Sequence, residues 1–152
     1  MIQRIQTIYL FLAAALMAAF AFLPLVTLFT PANPVLFYTY GFCEPGTAHQ
    51  LASTWPLLIV TALAVLLPFI NIFLFRNRPL QMRVCRFVSL MLLAVYAVFG
   101  VYVYNMSGVW HVESIHWGAA LTMPAVALVL NEIAFRRIRA DERLVRSADR
   151  LR

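Results

Sequence analysis

The sequence predicts an all-α membrane protein: a bundle of four transmembrane helices with a cytoplasmic, amphipathic C-terminal helix. Three observations predict it. The 152 residues are 63% hydrophobic and 12% charged, where a soluble domain is roughly half apolar and a quarter charged. The apolar residues fall in four long runs, each near the roughly 20 residues that cross about 30 Å of hydrocarbon. All 12 basic residues are Arg, and they stand in blocks between those runs.

The first run has no charge from Ile5 to Cys43, and a span is predicted over residues 5–29. Pro24 lies near its outer end, and Thr30-Pro-Ala-Asn-Pro34 stops it, because proline and its predecessor resist helical geometry. Ala19-Phe20-Ala21 fits a signal-peptide cleavage site, but the apolar run continues through Leu23–Phe29, beyond an ordinary signal h-region. The span is therefore expected to stay uncleaved. The second span is predicted over 55–75, with Ser53 or Thr54 capping it and Pro56 in its first turn. Pro68 inside it is expected to bend it. The third is predicted over 84–104 and the fourth over 115–135, with Pro124 as a second internal kink. Residues 136–152 form the tail, and the whole chain reads as one integral membrane domain.

Orientation follows from the arginines, which concentrate in cytoplasmic segments. Arg4, the block Arg76, Arg78, Arg83 and Arg86, and the block Arg136, Arg137, Arg139, Arg143, Arg146, Arg150 and Arg152 hold every one. The connections 30–53 and 106–114 carry only Glu44 and Glu113. The expected location is thus the bacterial inner membrane, multi-pass, with both termini cytoplasmic. Within the first external connection, Val35–Phe42 alternates aromatic and other residues. A short strand and an aromatic belt at the headgroup level both fit, and the belt is the favoured reading.

The charge of +6 is that of membrane flanks, and no nucleic-acid partner is expected. Before the last span, the one charge within the predicted bounds is Arg86, at the inner end of the third. Glu132 sits at the inner edge, where pairing with Arg136 four residues on is expected. Asn71 and Asn131 read as interhelical hydrogen-bond partners. They also belong to an echo, Asn71-x-x-x-Phe75-Arg76 and Asn131-x-x-x-Phe135-Arg136, with Trp55 and Trp117 near the two span starts. A duplicated hairpin and the shared chemistry of a cytoplasmic helix end both explain it. Cys43 and Cys85 are expected on opposite faces and unpaired, which removes a redox Cys pair. His49, His111 and His116 all fall on the external side with Glu44 and Glu113. His111-x-Glu-x-x-His116 lacks the helical register of a zinc protease. Trp110 and Trp117 beside them read as interface anchors. Ser107, Gly108 and Ser114 read as turn and cap residues. No catalytic, cofactor-binding or metal-binding residue is assigned.

The tail is expected to continue the fourth helix, with a Glu142–Arg146 pair and an incomplete stripe of Ile138, Leu144, Val145, Ala148 and Leu151. A solvated tail, a helix on anionic lipid and a docking helix all fit that stripe.

Met1-Ile-Gln-Arg-Ile-Gln-Thr-Ile-Tyr-Leu-Phe-Leu-Ala-Ala-Ala15 and Arg136-Arg-Ile-Arg-Ala-Asp-Glu-Arg-Leu-Val-Arg-Ser-Ala-Asp-Arg-Leu-Arg152 resemble the opening and closing motifs of the domain of unknown function 4293 family. These are small four-span membrane proteins found chiefly in Bacteroidota. The resemblance implies fold and compartment and carries no activity. The leading functional expectation is a non-catalytic accessory or scaffold subunit of a membrane complex, binding a protein partner or its own second copy through the Arg-rich tail or the bundle face. The alternative is a carrier or binder of a small apolar or lipid-like molecule, in a cleft opened by Pro68 and Pro124. A third is an external metal-binding or enzymatic site around His49, His111 and His116.

Overall fold

The computed structural model describes residues 3–31, 33–46, 50–74 and 77–150. Apolar residues spaced alternately three and four apart shape four helices: α1 (Gln3–Phe22), α2 (Trp55–Phe73), α3 (Arg78–Val109) and α4 (Met123–Arg150). In α3 the buried stripe is Gln81, Cys85, Val88, Leu92, Val95, Phe99 and Val103. In α2 it is Leu57, Thr61, Ala64, Pro68 and Asn71. Such a spacing keeps a narrow seam facing a neighbour. Each helix packs against two others, in the ring α1, α2, α3, α4 and back to α1. All four are long and apolar enough to cross a membrane.

The faces turned away from the ring are also apolar. Ile8, Phe11, Ile59, Leu66, Phe69, Leu90, Leu93 and Val129 are all exposed. A water-soluble helix would place polar residues there.

The chain is not all-α. Val26–Phe29 (β1), Pro34–Tyr38 (β2), Gly41–Cys43 (β3), Gln50–Ser53 (β4) and Ser114–Trp117 (β5) form a five-stranded sheet. Its order is β4-β3-β2-β1-β5, with every neighbouring pair antiparallel. The first predicted span fails at its outer end. The last helical bond of α1 is Leu23 N–H to the Ala19 carbonyl, because Pro24 has no N–H and bars helical geometry before it. Val-Thr-Leu-Phe29 then pairs as β1, in keeping with its branched and aromatic side chains. The belt reading of Val35–Phe42 fails for the same kind of reason. Val35 and Phe37 are buried, and β2 pairs on both sides, Pro34–Phe37 with β1 and Leu36–Tyr38 with β3.

The fourth predicted span is also corrected. Residues 114–117 are strand, Ala119–Thr122 is a short 3-10 turn, and α4 starts at Met123. Pro124 thus lies in the first turn of α4, where its missing N–H costs nothing, and is no internal kink. Pro68 is inside α2 as expected. The third helix outruns its predicted span at both ends; 32 residues extend about 48 Å. Thr54 takes the cap position of α2 without a side-chain cap bond; its hydroxyl donates instead to the Thr39 carbonyl (2.9 Å).

The sheet closes one end of the helix ring. Its inner face, Val26, Leu28, Val35, Phe37 and Phe42, shares one core with Phe20 of α1, Leu57 of α2, Phe99 of α3 and Ala127 of α4. Phe37 stacks on Phe42 (4.2 Å between centroids) and Phe99 (5.3 Å), and Phe42 meets Trp110 edge-on (5.0 Å). Thr39 donates to the Ala21 carbonyl (2.7 Å) at the end of α1. The chain order brings the Arg-bearing segments of α3 and α4 together at the opposite end, where Arg78 meets Asp141 at 3.1 Å.

Candidate functional site

A cavity of about 500 Å³ lies at the sheet end. Pro31, Val35, Leu51 and Trp110 supply apolar wall, and Thr30, Asn33, Glu44 and His111 supply polar atoms. Asn33 Nδ2 donates to Glu44 Oε1 at 2.8 Å. Thr30 holds the turn that presents Asn33, its hydroxyl donating to the Asn33 carbonyl at 2.7 Å. Glu44 also borders a smaller cavity of about 350 Å³ beside Tyr38, Tyr40 and Cys43. There, partial burial and then the neighbouring Cys43 thiol push the Tyr40 phenol above its ordinary value. It therefore remains a hydrogen-bonding hydroxyl at neutral pH.

His111 owes its place to the end of α3. Trp110 is the cap residue, and the Val112 N–H reaches back to the Ser107 carbonyl (3.4 Å). That is the long bond of a Schellman cap, whose next residue takes left-handed geometry and is usually glycine. Here it is His111, with φ 47°, the one non-glycine residue at positive φ among the described residues. A side chain there costs roughly 1–2 kcal/mol. The cap explains the geometry, and it leaves unexplained why the residue is not glycine. The imidazole lines the cavity.

The other sequence-derived residues separate. His116 lies on β5 against Phe29 (5.0 Å, edge-on). Glu113 contributes its backbone N–H to the Phe29 carbonyl (2.9 Å). His49 lies outside the described residues. Among the described residues, no three His, Cys, Asp or Glu side chains gather as a metal site. Cys43 on β3 and Cys85 in α3 are both free and buried. Pro68 and Pro124 are buried in their helices and line none of the three cavities described in this structure.

A polar layer occupies the core near the arginine end. Asn71 Nδ2 reaches Cys85 Sγ (3.1 Å), and Gln81 Nε2 donates to the Asn71 carbonyl (3.3 Å). Asn131 Nδ2 donates to the Cys85 carbonyl (2.7 Å) and to Ser89 Oγ (2.9 Å). Both asparagines of the sequence echo thus converge on Cys85, one from α2 and one from α4. This is the interhelical role expected for them. Glu132 pairs with Arg136 at 3.2 Å, also as expected. Of the tail stripe, Ile138 is buried while Leu144 and Val145 are exposed. Ala148, Leu151 and the Arg146 partner expected for Glu142 have side chains outside the described residues.

The sequence matches the family described as a domain of unknown function, DUF4293, over residues 2–151. The chain belongs to the DUF4293 family. No curated protein matches it. In this DUF4293 protein the cavity draws on Thr30, Pro31, Asn33 and Val35, on Glu44 and Leu51, and on the end of α3, positions far apart in sequence. The sequence marks Glu44, Trp110 and His111 as external residues, but not Asn33 and Leu51 as wall. Asn33 stands in sequence only as part of the helix-ending Thr30–Pro34 stretch, and nothing local marks Leu51.

Proposed function

We propose that this protein is a multi-pass protein of the bacterial inner membrane that holds a small apolar molecule, without catalysis, in the cavity at the sheet end. Its four helices lie in the lipid, the arginine end faces the cytoplasm, and the sheet caps the outer face. The apolar outer faces of the helices support insertion, since exposed apolar area on this scale suits hydrocarbon and not water. The Arg-bearing segments at one end and the Arg-free sheet at the other support the orientation.

The observation that carries the binding reading is the cavity itself. Apolar walls with a few convergent polar groups are the usual make-up of a small-molecule site. His111 adds to it, because strained backbone held in a rigid cap collects at ligand sites. A ligand with an apolar body would lie on Pro31, Leu51 and Trp110, and a polar head would meet His111 and the Asn33–Glu44 pair.

The test uses the protein in nanodiscs with Trp55→Phe and Trp117→Phe, so that Trp110 is the one tryptophan of the chain. N-phenyl-1-naphthylamine is titrated in, and energy transfer from Trp110 is followed. Saturable transfer that Leu51→Arg abolishes is expected. Transfer that rises without saturation and ignores Leu51→Arg would reject the cavity as a binding site.

Leu144 and Val145, exposed on α4 past Asp141, favour a second reading as an accessory subunit docked through its tail. A photoreactive side chain at position 145 that captures only lipid in native membranes would count against it.

A further inference from the structure

A second cavity, about 440 Å³, lies between α3 and α4 at the arginine end. Four guanidiniums border it: Arg83 and Arg86 from α3, Arg139 and Arg143 from α4. Glu142 is the one acidic residue at the rim. Four arginines thus stand against one carboxylate along the groove, leaving it strongly positive. Its floor is apolar, with Met82 and Phe135, and the Arg86 guanidinium lies over the Phe135 ring at 5.4 Å.

The spacing continues the groove into lipid. Arg83, Arg86, Leu90 and Leu93 follow one stripe of α3, three and four residues apart. Leu90 and Leu93 are 60% and 54% exposed. A cluster of arginines therefore passes directly into an uncovered apolar track. Guanidiniums suit phosphate oxygens because they offer paired donors in one plane. A free phosphate would use the arginines and leave the track bare, whereas a phosphate carrying acyl chains uses both.

The geometry points to this groove as a binding site for the phosphodiester headgroup of an anionic glycerophospholipid, its acyl chains lying along Leu90 and Leu93. The inner leaflet supplies it, in the orientation proposed above. The site stands at the opposite end from the sheet cavity, so the Trp110 titration and the experiment below succeed or fail separately.

Protein in mild detergent is mixed with phosphatidylglycerol and phosphatidylcholine of identical acyl chains, and bound lipid is read by native mass spectrometry. Preferential retention of phosphatidylglycerol is expected. Arg86→Gln with Arg139→Gln should cut that preference about thirtyfold, taking each interfacial arginine at its usual worth. Arg136→Gln with Arg137→Gln, which removes the same charge outside the groove, should leave it intact. If the first pair does not yield folded protein, Arg83→Gln with Arg143→Gln is read in its place. Equal retention of the two lipids, or equal loss in the groove and control variants, overturns the site. Displacement of phosphatidylglycerol by millimolar inorganic phosphate would assign the groove to a soluble anion and overturn the lipid reading.

Discussion

Replacing Gly118 by alanine tests how the sheet is fastened to the helices. Gly118 joins β5 to the turn that opens α4, and its N–H donates to the Leu25 carbonyl at 2.8 Å. Its backbone angles, φ −77° and ψ 146°, are ordinary for alanine, so the substitution carries no conformational penalty. The contact does. A Cβ built there would lie 2.7 Å from both the Pro24 and Leu25 carbonyl oxygens. Those are peptide oxygens beside β1 and cannot rotate away as a side chain end would. Forcing a methyl into a filled site costs about 1–3 kcal/mol, and in a chain of this length each kcal/mol moves Tm by about 2–4 °C. Gly100→Ala supplies the contrast, because no atom lies within 4 Å of a Cβ there. In the middle of α3 the same methyl should stabilise by up to about 1 kcal/mol. The assay is loss of the monodisperse species on heating in detergent, read by size exclusion. A Gly118→Ala protein as stable as wild type would refute the packing of β5 and the α4 entry against Leu25.

Four further outcomes are expected. His111→Gly should leave Tm unchanged or raise it, because the roughly 1–2 kcal/mol of relieved strain is offset in part by about 0.5–1 kcal/mol of glycine's extra freedom in the unfolded chain, while weakening N-phenyl-1-naphthylamine binding; a fall in Tm would show that the imidazole holds the cap together. Arg78→Ala should destabilise by about 1–2 kcal/mol, between the surface and buried limits for ion pairs, because its pair with Asp141 is mostly shielded (23% and 15% exposed). Arg136→Ala, whose pair with Glu132 is open to solvent (76% and 47%), should change Tm little, and a double-mutant cycle on each pair checks the ranking. Asn131→Ala should lower stability by about 1–2 kcal/mol through the loss of two interhelical bonds and a small cavity, and an unchanged Tm would remove the polar layer from the account. In a background lacking Cys43 and Cys85, a cysteine at position 113 should react with a membrane-impermeant maleimide on intact spheroplasts and one at position 137 only after permeabilisation; the reverse pattern would invert the orientation.

The helices were legible because their signal is local. Long apolar runs and Arg blocks mark α1 to α4, and Glu132–Arg136 follows from spacing alone. Asn71 and Asn131 were legible as well, since a polar amide in an apolar run must find a partner on another helix. The sheet was not. Val35–Phe42 alternates as both a strand and an interfacial aromatic belt would, and periodicity does not separate them. Backbone pairing separates them, and one partner of β1, Ser114–Trp117, lies more than eighty residues away. The run Ile5–Phe29 hid a boundary for a related reason: hydropathy is the same on either side of Pro24, while the backbone changes from helix to strand. The cavity inherits this difficulty, because its walls meet only once the sheet has formed.

The two ends of the helix ring carry what its middle lacks. The seams of α2, α3 and α4 are largely small and aliphatic, with Ala64, Val88, Leu92, Val95, Ala127 and Ala134 buried. A seam of this kind repeats every seven residues, and sliding one helix by a heptad would restore much the same contacts. Directional groups remove that freedom. At one end, Asn71 and Asn131 both reach Cys85, so α2 and α4 are each held at one height on α3. At the other, Thr39 binds the last turn of α1 and Thr54 binds Thr39, while Gly118 ties the entry of α4 to Leu25. A slip of one heptad would part Asn71 from the Cys85 thiol and Asn131 from the Ser89 hydroxyl and pull β5 out of register with β1. The sheet is therefore part of what sets helix register, and the cavity it forms with the end of α3 is held by the same bonds.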